Sequence, residues 1–303
     1  MSQQLGCQPG VGDVEADKHR GGYGGGYGGG SSWGPPGRWG LEATYWTLDA
    51  FTGYVARAVP GGSVSTPLIV SDIEFGGVNG TIYFDSAQEH RVWRRDELHN
   101  IELNLIRRPV NPGWYGPVGI DWSVGVRYFR FEEDWTFGSL DLGCTWGGNG
   151  GLDEAYLRDK AVNHLVGVQM GFNFNWQVGH NLRLFLVPEC GIYNNHITNL
   201  FEAYRGDGTV ANPTAASGMT DTYPVSSSDD LVSFLTQIEL GAEWQFTPRW
   251  SAFVGYRVLF ATGIALADNQ IPTYVVDIPE IAEIDHESNL VLHGAFAGVT
   301  FQF

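Results

Sequence analysis

Charged residues that could do chemistry lie along segments in which every second residue is apolar. Nine polar positions stand out because they fall on the polar side of that alternation and mix acids with bases. Side chains on one enclosed face of a sheet lie close to one another. A charge buried there without a partner of opposite sign is costly. We therefore expect inward-facing charge pairs whose mixed signs set the character of the enclosed surface. These lumen-lining residues are Asn100, Glu102, Asp121, Arg127, Arg183, Glu189, Glu239, Glu243 and Arg257.

Catalytic signatures are sparse. The sequence has no G-x-S-x-G, H-E-x-x-H or Walker pattern. His99 and Glu102 could form an acid–base pair, but an offset of three on a strand points them to opposite faces. His164 and His293 fall on apolar faces and fit packed or interfacial histidines. We expect no catalytic residue, no metal site and no cofactor, and we predict that the chain is not an enzyme.

Composition narrows the class further. Net charge is −17 over 303 residues, which argues against nucleic-acid binding because phosphate contacts need clustered cations. No run of 18 apolar residues is present, so the sequence predicts no membrane-spanning helix. Met1–Gly10 lacks the basic and apolar regions of a signal peptide, so an exported form would be mature or truncated here. Cys7, Cys144 and Cys190 allow one disulfide with one thiol left over.

Residues 1–37 are expected to form a flexible Gly/Tyr/Pro-rich segment. Their stretch GGYGGGYGGGSSWGPPG has few side chains to bury, so it cannot offset the entropy of ordering. The second predicted unit, 38–303, carries the alternation. Glycine is also abundant there, and many glycines fall on the polar side, where space between facing side chains would be short.

Strands are predicted wherever apolar residues recur at every second position. From Val118 to Tyr128, for example, the even-numbered residues are apolar and the odd-numbered ones are small or charged. Alternation of this kind gives about ten strands, with 8–12 open, and no convincing amphipathic helix. The predicted strands are 39–48, 65–75, 79–87, 97–107, 118–131, 161–176, 182–196, 230–246, 249–262 and 289–303.

Short and long connections alternate between these strands. Val178–Asn181 and Thr247–Arg249 are short, Asn79-Gly80 is a hairpin signal, and about 132–160, 197–229 and 263–288 are long. This alternation is typical of an all-β, transmembrane, up-and-down antiparallel β-barrel of the bacterial outer membrane. An even strand number places both termini on the short-turn, periplasmic side.

A soluble barrel or sandwich would show the same alternation, so the choice rests on the aromatic residues and the polar face. The polar face carries Gly, Asn, Gln and charges of both signs, which suit a crowded lumen. Aromatic residues gather at the short-turn ends, where a girdle at the bilayer interface belongs. The predicted girdle residues are Trp114, Tyr115, Trp176, Trp244, Phe246, Trp250 and Phe303.

Several motifs resemble one bacterial family. Residues 96–105 read DELHNIELNL, and further matching stretches are 125–128, 163–167, 191–196 and 292–295. The chain resembles the beta-barrel porin-seven family over most of residues 39–303, and the alternating strand that ends at Phe303 resembles the signal read by the barrel-assembly machinery. The resemblance implies a bacterial outer-membrane barrel and supplies no catalytic residues.

Porin-like passage of small solutes or ions through a narrow polar lumen is the first functional hypothesis, and it follows the family resemblance. The alternative is a non-conducting structural or surface-binding barrel, since barrels of about eight strands are filled by side chains. An outer-membrane hydrolase is a third possibility. Expected partners are the outer-membrane lipid bilayer and the assembly machinery, without nucleic acid. Six acids in 264–288 could bind cations or form a solvated acidic rim, and they fit no EF-hand.

Overall fold

Eight long strands form the sheet in the computed structural model, which describes residues 23–26, 39–107 and 118–301. They are β2 (Trp39–Ala58), β5 (Glu89–Arg107), β6 (Val118–Leu140), β7 (Glu154–Gln177), β8 (Leu182–Arg205), β10 (Val225–Gln245), β11 (Trp250–Ile264) and β12 (Ser288–Phe301). The short β1 (Tyr23–Gly26) pairs with Tyr45–Leu48 of β2.

Each long strand pairs antiparallel with its neighbour in the order β2-β5-β6-β7-β8-β10-β11-β12. The sheet curls into a half-barrel, and the fold is all-β and antiparallel, as predicted. Among the strand pairings of the described residues, none joins β12 to β2. The two sheet edges are therefore not connected by a described ladder.

Two of the predicted strands are wrong, so eight long strands replace about ten. Segments 65–75 and 79–87 contain only the short β3 (Ile73–Phe75), β4 (Val78–Asn79) and helix α1 (Thr81–Phe84). The Asn79 side chain accepts a bond from the Thr81 backbone N–H at 2.9 Å, which starts the helix instead of a hairpin. Gly80 is required here because a Cβ would lie 2.7 Å from Cγ1 of Ile73.

Several predicted strands are too short. β6 continues to Leu140 and β8 to Arg205, whereas the alternation predicted ends at 131 and 196. The long connections 141–153, 206–224 and 265–287 are correspondingly shorter than the expected 132–160, 197–229 and 263–288, and 59–88 is a fourth long connection where two strands were predicted. They lie at one end of the sheet, while 178–181 and 246–249 lie at the other.

Apolar side chains from three long connections, 59–88, 206–224 and 265–287, fill the concave side at the long-connection end. Ile73 and Phe84 from 59–88 and Ile281 from helix α2 (Ile278–Ala282) are fully buried against Leu157 and Phe201 of the sheet. The remaining short elements are β9 (Asn212–Pro213), which pairs with β3, and 3₁₀ turns at Gly148–Gly151, Ala215–Ser217 and Ala267–Asn269.

Candidate functional site: the polar network of the concave face

The nine predicted lining residues lie on the concave face, which alternates with an exposed convex face. Side chains there are shielded although they are polar or charged. Six of the nine are buried, and the side chains of Arg183 and Arg257 are 11% and 14% exposed. The six are Asn100, Glu102, Asp121, Arg127, Glu239 and Glu243.

Arg127 on β6 is the hub of this face. Its residue exposure is 2%, and its Nε donates to Oδ1 of Asn100 at 2.6 Å. Nη2 donates to Oε1 of Gln237 at 2.8 Å, and the carboxylate of Glu102 lies 3.5 Å away. Because these partners come from β5 and β10, one guanidinium links strands on two sides of the half-barrel.

Glu102 balances the Arg127 charge and is itself fully occupied. Its two oxygens accept from the amides of Asn100 at 2.7 Å, Gln169 at 2.9 Å and Asn104 at 3.3 Å. A buried ion pair is tolerated only when such additional bonds satisfy its free lone pairs. The arrangement is therefore rigid and charge-compensated.

A second charge pair extends the network toward the sheet edge. Arg257 on β11 donates to Glu239 on β10 at 2.7 Å, and Gln237 donates to Glu239 at 2.9 Å and to Glu189 at 3.2 Å. The Arg257 guanidinium also lies 4.5 Å from the ring centroid of Trp46 on β2. This contact brings β11 and β2 together across the concave side.

A third pair lies nearer the short connections. Arg183 donates to Glu243, which also accepts from Ser251, and Arg183 donates to Oδ1 of Asn175 at 2.8 Å. Sequence reasoning left out the amides of Asn104, Gln169, Asn175 and Gln237, although all occupy polar positions of the same alternation. Each could have been found by counting neutral polar residues along with charges.

His99 and Glu102 lie on opposite faces of the sheet, as their offset of three residues predicted. His99 is on the convex face and contacts Oε1 of Glu97 at 2.9 Å and the Tyr45 hydroxyl at 3.3 Å, whereas Glu102 is on the concave face. Within the described ranges, no group of three or more His, Cys, Asp or Glu side chains could hold a metal ion. Cys190 is an exposed free thiol.

The convex face near the short connections is apolar and exposed on all eight long strands. We call this surface the apolar belt. One member from each strand, with exposure between 45% and 74%, illustrates it. These members are Leu41, Leu103, Val126, Val168, Ile192, Phe234, Val254 and Val299.

Four of the predicted girdle aromatics lie on this face at its short-connection end. Trp176, Trp244, Phe246 and Trp250 are 52%, 58%, 46% and 42% exposed. Trp114, Tyr115 and Phe303 fall outside the described residues, as do the predicted flexible segment 1–37, apart from the backbone of β1, and Cys7.

Acids in the long connections are partly engaged with the protein. Asp268 lies 4.0 Å from Arg94, and Asp277 caps helix α2 by accepting from the Glu280 N–H at 3.3 Å. In 206–224, hydrogen bonds from Arg205 lower the pKa of Asp207. Burial raises the pKa of Asp141 in 141–153.

No helix in the described residues combines the length and the apolar character that crossing a bilayer requires. Comparison of the chain with family models, curated proteins and solved structures finds no match in any of the three.

Proposed function

We propose that this chain is a bacterial outer-membrane β-barrel protein with a filled, non-conducting interior and a long-connection end that faces outward. The observation that carries the membrane assignment is the apolar belt. Large apolar side chains stay exposed on every long strand while the concave side of the same segments holds buried charges. Water would solvate this arrangement poorly, whereas lipid on the convex side suits it.

The filled interior is supported by the Arg127 network and by the loop packing above it. Arg127, Gln237, Glu239 and Arg257 connect β6, β10 and β11 by direct bonds, and Trp46 of β2 covers Arg257. Barrels of about eight strands have just enough interior to be filled by side chains. The resemblance to the porin-seven family suggests the same membrane class.

Porin-like passage is the second candidate, and the partly accessible Arg183 and Arg257 side chains favour it. In a narrow pore, these charges would set ion selectivity. Replacement of Arg127 or Arg183 with Ala would then change conductance or selectivity.

Two measurements test the proposal separately. The full chain, folded in detergent and reconstituted into liposomes, should float with the lipid and resist extraction by alkaline carbonate. Recovery in the aqueous phase without detergent would contradict the membrane assignment. In planar bilayers, the folded protein should give no single-channel steps, and regular steps that change in Arg183→Ala would establish the porin instead.

A further inference from the structure

A groove lined by aromatic rings lies on the convex face beyond the apolar belt, toward the long connections. Tyr54 on β2 and Trp93 on β5 have ring centroids 5.9 Å apart. Trp93 lies 6.1 Å from Tyr156 on β7, which stacks on Tyr204 of β8 at 5.3 Å. Four of the long strands thus contribute to one aromatic row.

The strand between Trp93 and Tyr156 gives the groove its floor. At Gly138 of β6, a Cβ would lie 2.7 Å from the Trp93 ring and 2.9 Å from the Tyr156 ring. Glycine therefore lets the two rings approach each other over β6. Beside it, Thr136 forms part of a cavity of about 410 Å³ that Trp93, Arg158 and Tyr204 also line.

The polar rim of the groove is charge-balanced. The Arg158 guanidinium donates through Nε to Asp134 at 3.0 Å and through Nη1 to Glu202 at 3.1 Å. Arg95, also at the cavity, donates to Glu97 at 3.3 Å. The rim offers both donors and acceptors in fixed positions, and its arginines already have carboxylate partners.

One connection adds a wall to the groove. Trp146 in 141–153 packs edge-on against Trp93, with centroids 5.8 Å apart, and the Arg91 guanidinium lies 4.4 Å over the Trp146 ring. Glu89 accepts from both Trp146 Nε1 at 3.2 Å and Arg91 at 2.7 Å. The aromatic surface is therefore held by packing and hydrogen bonds.

We propose that this groove binds a saccharide. The C–H bonds on one face of a sugar ring carry partial positive charge and suit the negative face of an aromatic ring. Its hydroxyls need donors and acceptors together, which the Arg158–Asp134 pair supplies. An apolar ligand would offer the Arg158–Asp134 pair no hydrogen-bond partners. An anionic ligand would meet a carboxylate beside every arginine of the groove.

The volume lies within the range of small-molecule sites. Two sources would present the same chemistry, a free glycan or the sugar headgroup of a glycolipid. The inference rests on the proposed function only for the second source, because a membrane around the apolar belt would bring headgroups near the groove. Binding of a free glycan would not depend on the membrane.

The test uses the full chain folded in detergent micelles and electrophoresed through native gels that contain a neutral polysaccharide. Dextran, mannan and galactan are run in parallel, and the delipidated oligosaccharide of lipopolysaccharide is tested by calorimetry. Wild type should bind at least one of these, and Trp93→Ala should weaken that binding about tenfold, as expected for the loss of one ring face. The matched control is Trp176→Ala, which removes a tryptophan of the apolar belt that lies on the same convex face but outside the groove.

Thr136→Tyr is a second variant that keeps every ring of the groove and fills its floor. It tests the loss of saccharide binding without removing a ring, so a folding defect of Trp93→Ala does not decide the outcome. Binding of a polysaccharide indicates a free glycan, and binding of the lipopolysaccharide oligosaccharide alone indicates a headgroup. No binding by the folded wild type, or equal loss in Trp93→Ala and Trp176→Ala, overturns the saccharide site. Failure of the membrane assignment is seen separately, as failure to float with liposomes.

Discussion

The two halves of the same strands have opposite polarity. Near the short connections, the convex face is apolar and the concave face polar. Near the long connections, the convex face combines charges with the aromatic groove, and the concave face packs an apolar core around a few buried polar side chains such as Glu133 and Asp159. On β6, Val126 is 53% exposed beside Arg127 at 2%, while four residues on, Arg130 faces outward and Phe131 is 2% exposed. Strand geometry is continuous through this change.

The change follows one row of cross-strand partners on the convex face. The row runs from β5 to β10 through residues that are adjacent in the strand register. Its members are His99, Arg130, His164, His196 and Asp230. Alternation along a strand therefore identifies its two faces. Which face is apolar differs between the two halves of the strand and depends on what surrounds each half.

The difference also accounts for strand length. β7 and β8 have 24 residues each, whereas a tilted strand needs only about 9–11 to cross the hydrocarbon of a bilayer. In the proposed membrane arrangement, one half of β7 or of β8 would therefore be enough for a span. The other half can build a water-facing domain with an apolar interior.

The largest expected effect comes from the concave face of the half near the short connections. Arg127→Met leaves Glu102 buried without its cation, and we expect unfolding in detergent to become easier by about 3–5 kcal/mol. Urea titration followed by tryptophan fluorescence measures the change. Arg95→Met is the control, because its exposed pair with Glu97 contributes at most about 1 kcal/mol; equal effects would contradict a sealed interior.

A charge placed on the convex face distinguishes the halves directly. Ile192→Arg puts a cation in the apolar belt and should cost about 2–4 kcal/mol in vesicles if lipid covers it. Thr198→Arg, on the same strand and face but beyond His196, should cost little. The free energy of unfolding from vesicles gives the comparison. Similar costs at both positions would show that the row does not mark a membrane boundary.

Glycines that lie close to an adjacent strand should contribute to the stability of the fold, because a larger side chain would not fit there. A Cβ on Gly167 would lie 2.1 Å from the Ile192 carbonyl oxygen, while the contacts for one on Gly119 start at 3.9 Å. We expect Gly167→Ala to destabilise the fold by about 1–3 kcal/mol, as overpacking does, and Gly119→Ala to have a much smaller effect. Parallel unfolding curves check this, and equal midpoints would refute the steric explanation.

The smallest effect concerns a hydrogen bond between His164 of the row and Tyr128 next to it on the convex face. The Tyr128 hydroxyl and Nδ1 of His164 are 2.8 Å apart on the convex face. A double-mutant cycle of Tyr128→Phe and His164→Ala should give a coupling of about 0.5–1.5 kcal/mol. Additive single effects would show that the hydrogen bond contributes nothing to the boundary.

Sequence patterning was informative where the polarity of the faces stayed constant. It placed Val126 and Arg127 on different faces and located the short connections at 178–181 and 247–249. It ended strands near Phe131, His196 and Asp230 because the alternation changes phase at the row. Segments 65–75 and 79–87 alternate because Ile73 and Phe84 insert into a core, which depends on distant residues of β7 and β8.

The length of β6 and β7 sets how far the connection between them reaches. Residues 131–140 of β6 and 154–163 of β7 pair along their whole length beyond the row. At about 3.3 Å per residue, this stretch is roughly 33 Å long. β5 pairs with β6 and β8 pairs with β7 along it, so four strands together hold connection 141–153 and its Trp146 well away from Arg130 and His164. A large partner approaching from that end would therefore meet the long connections before the row.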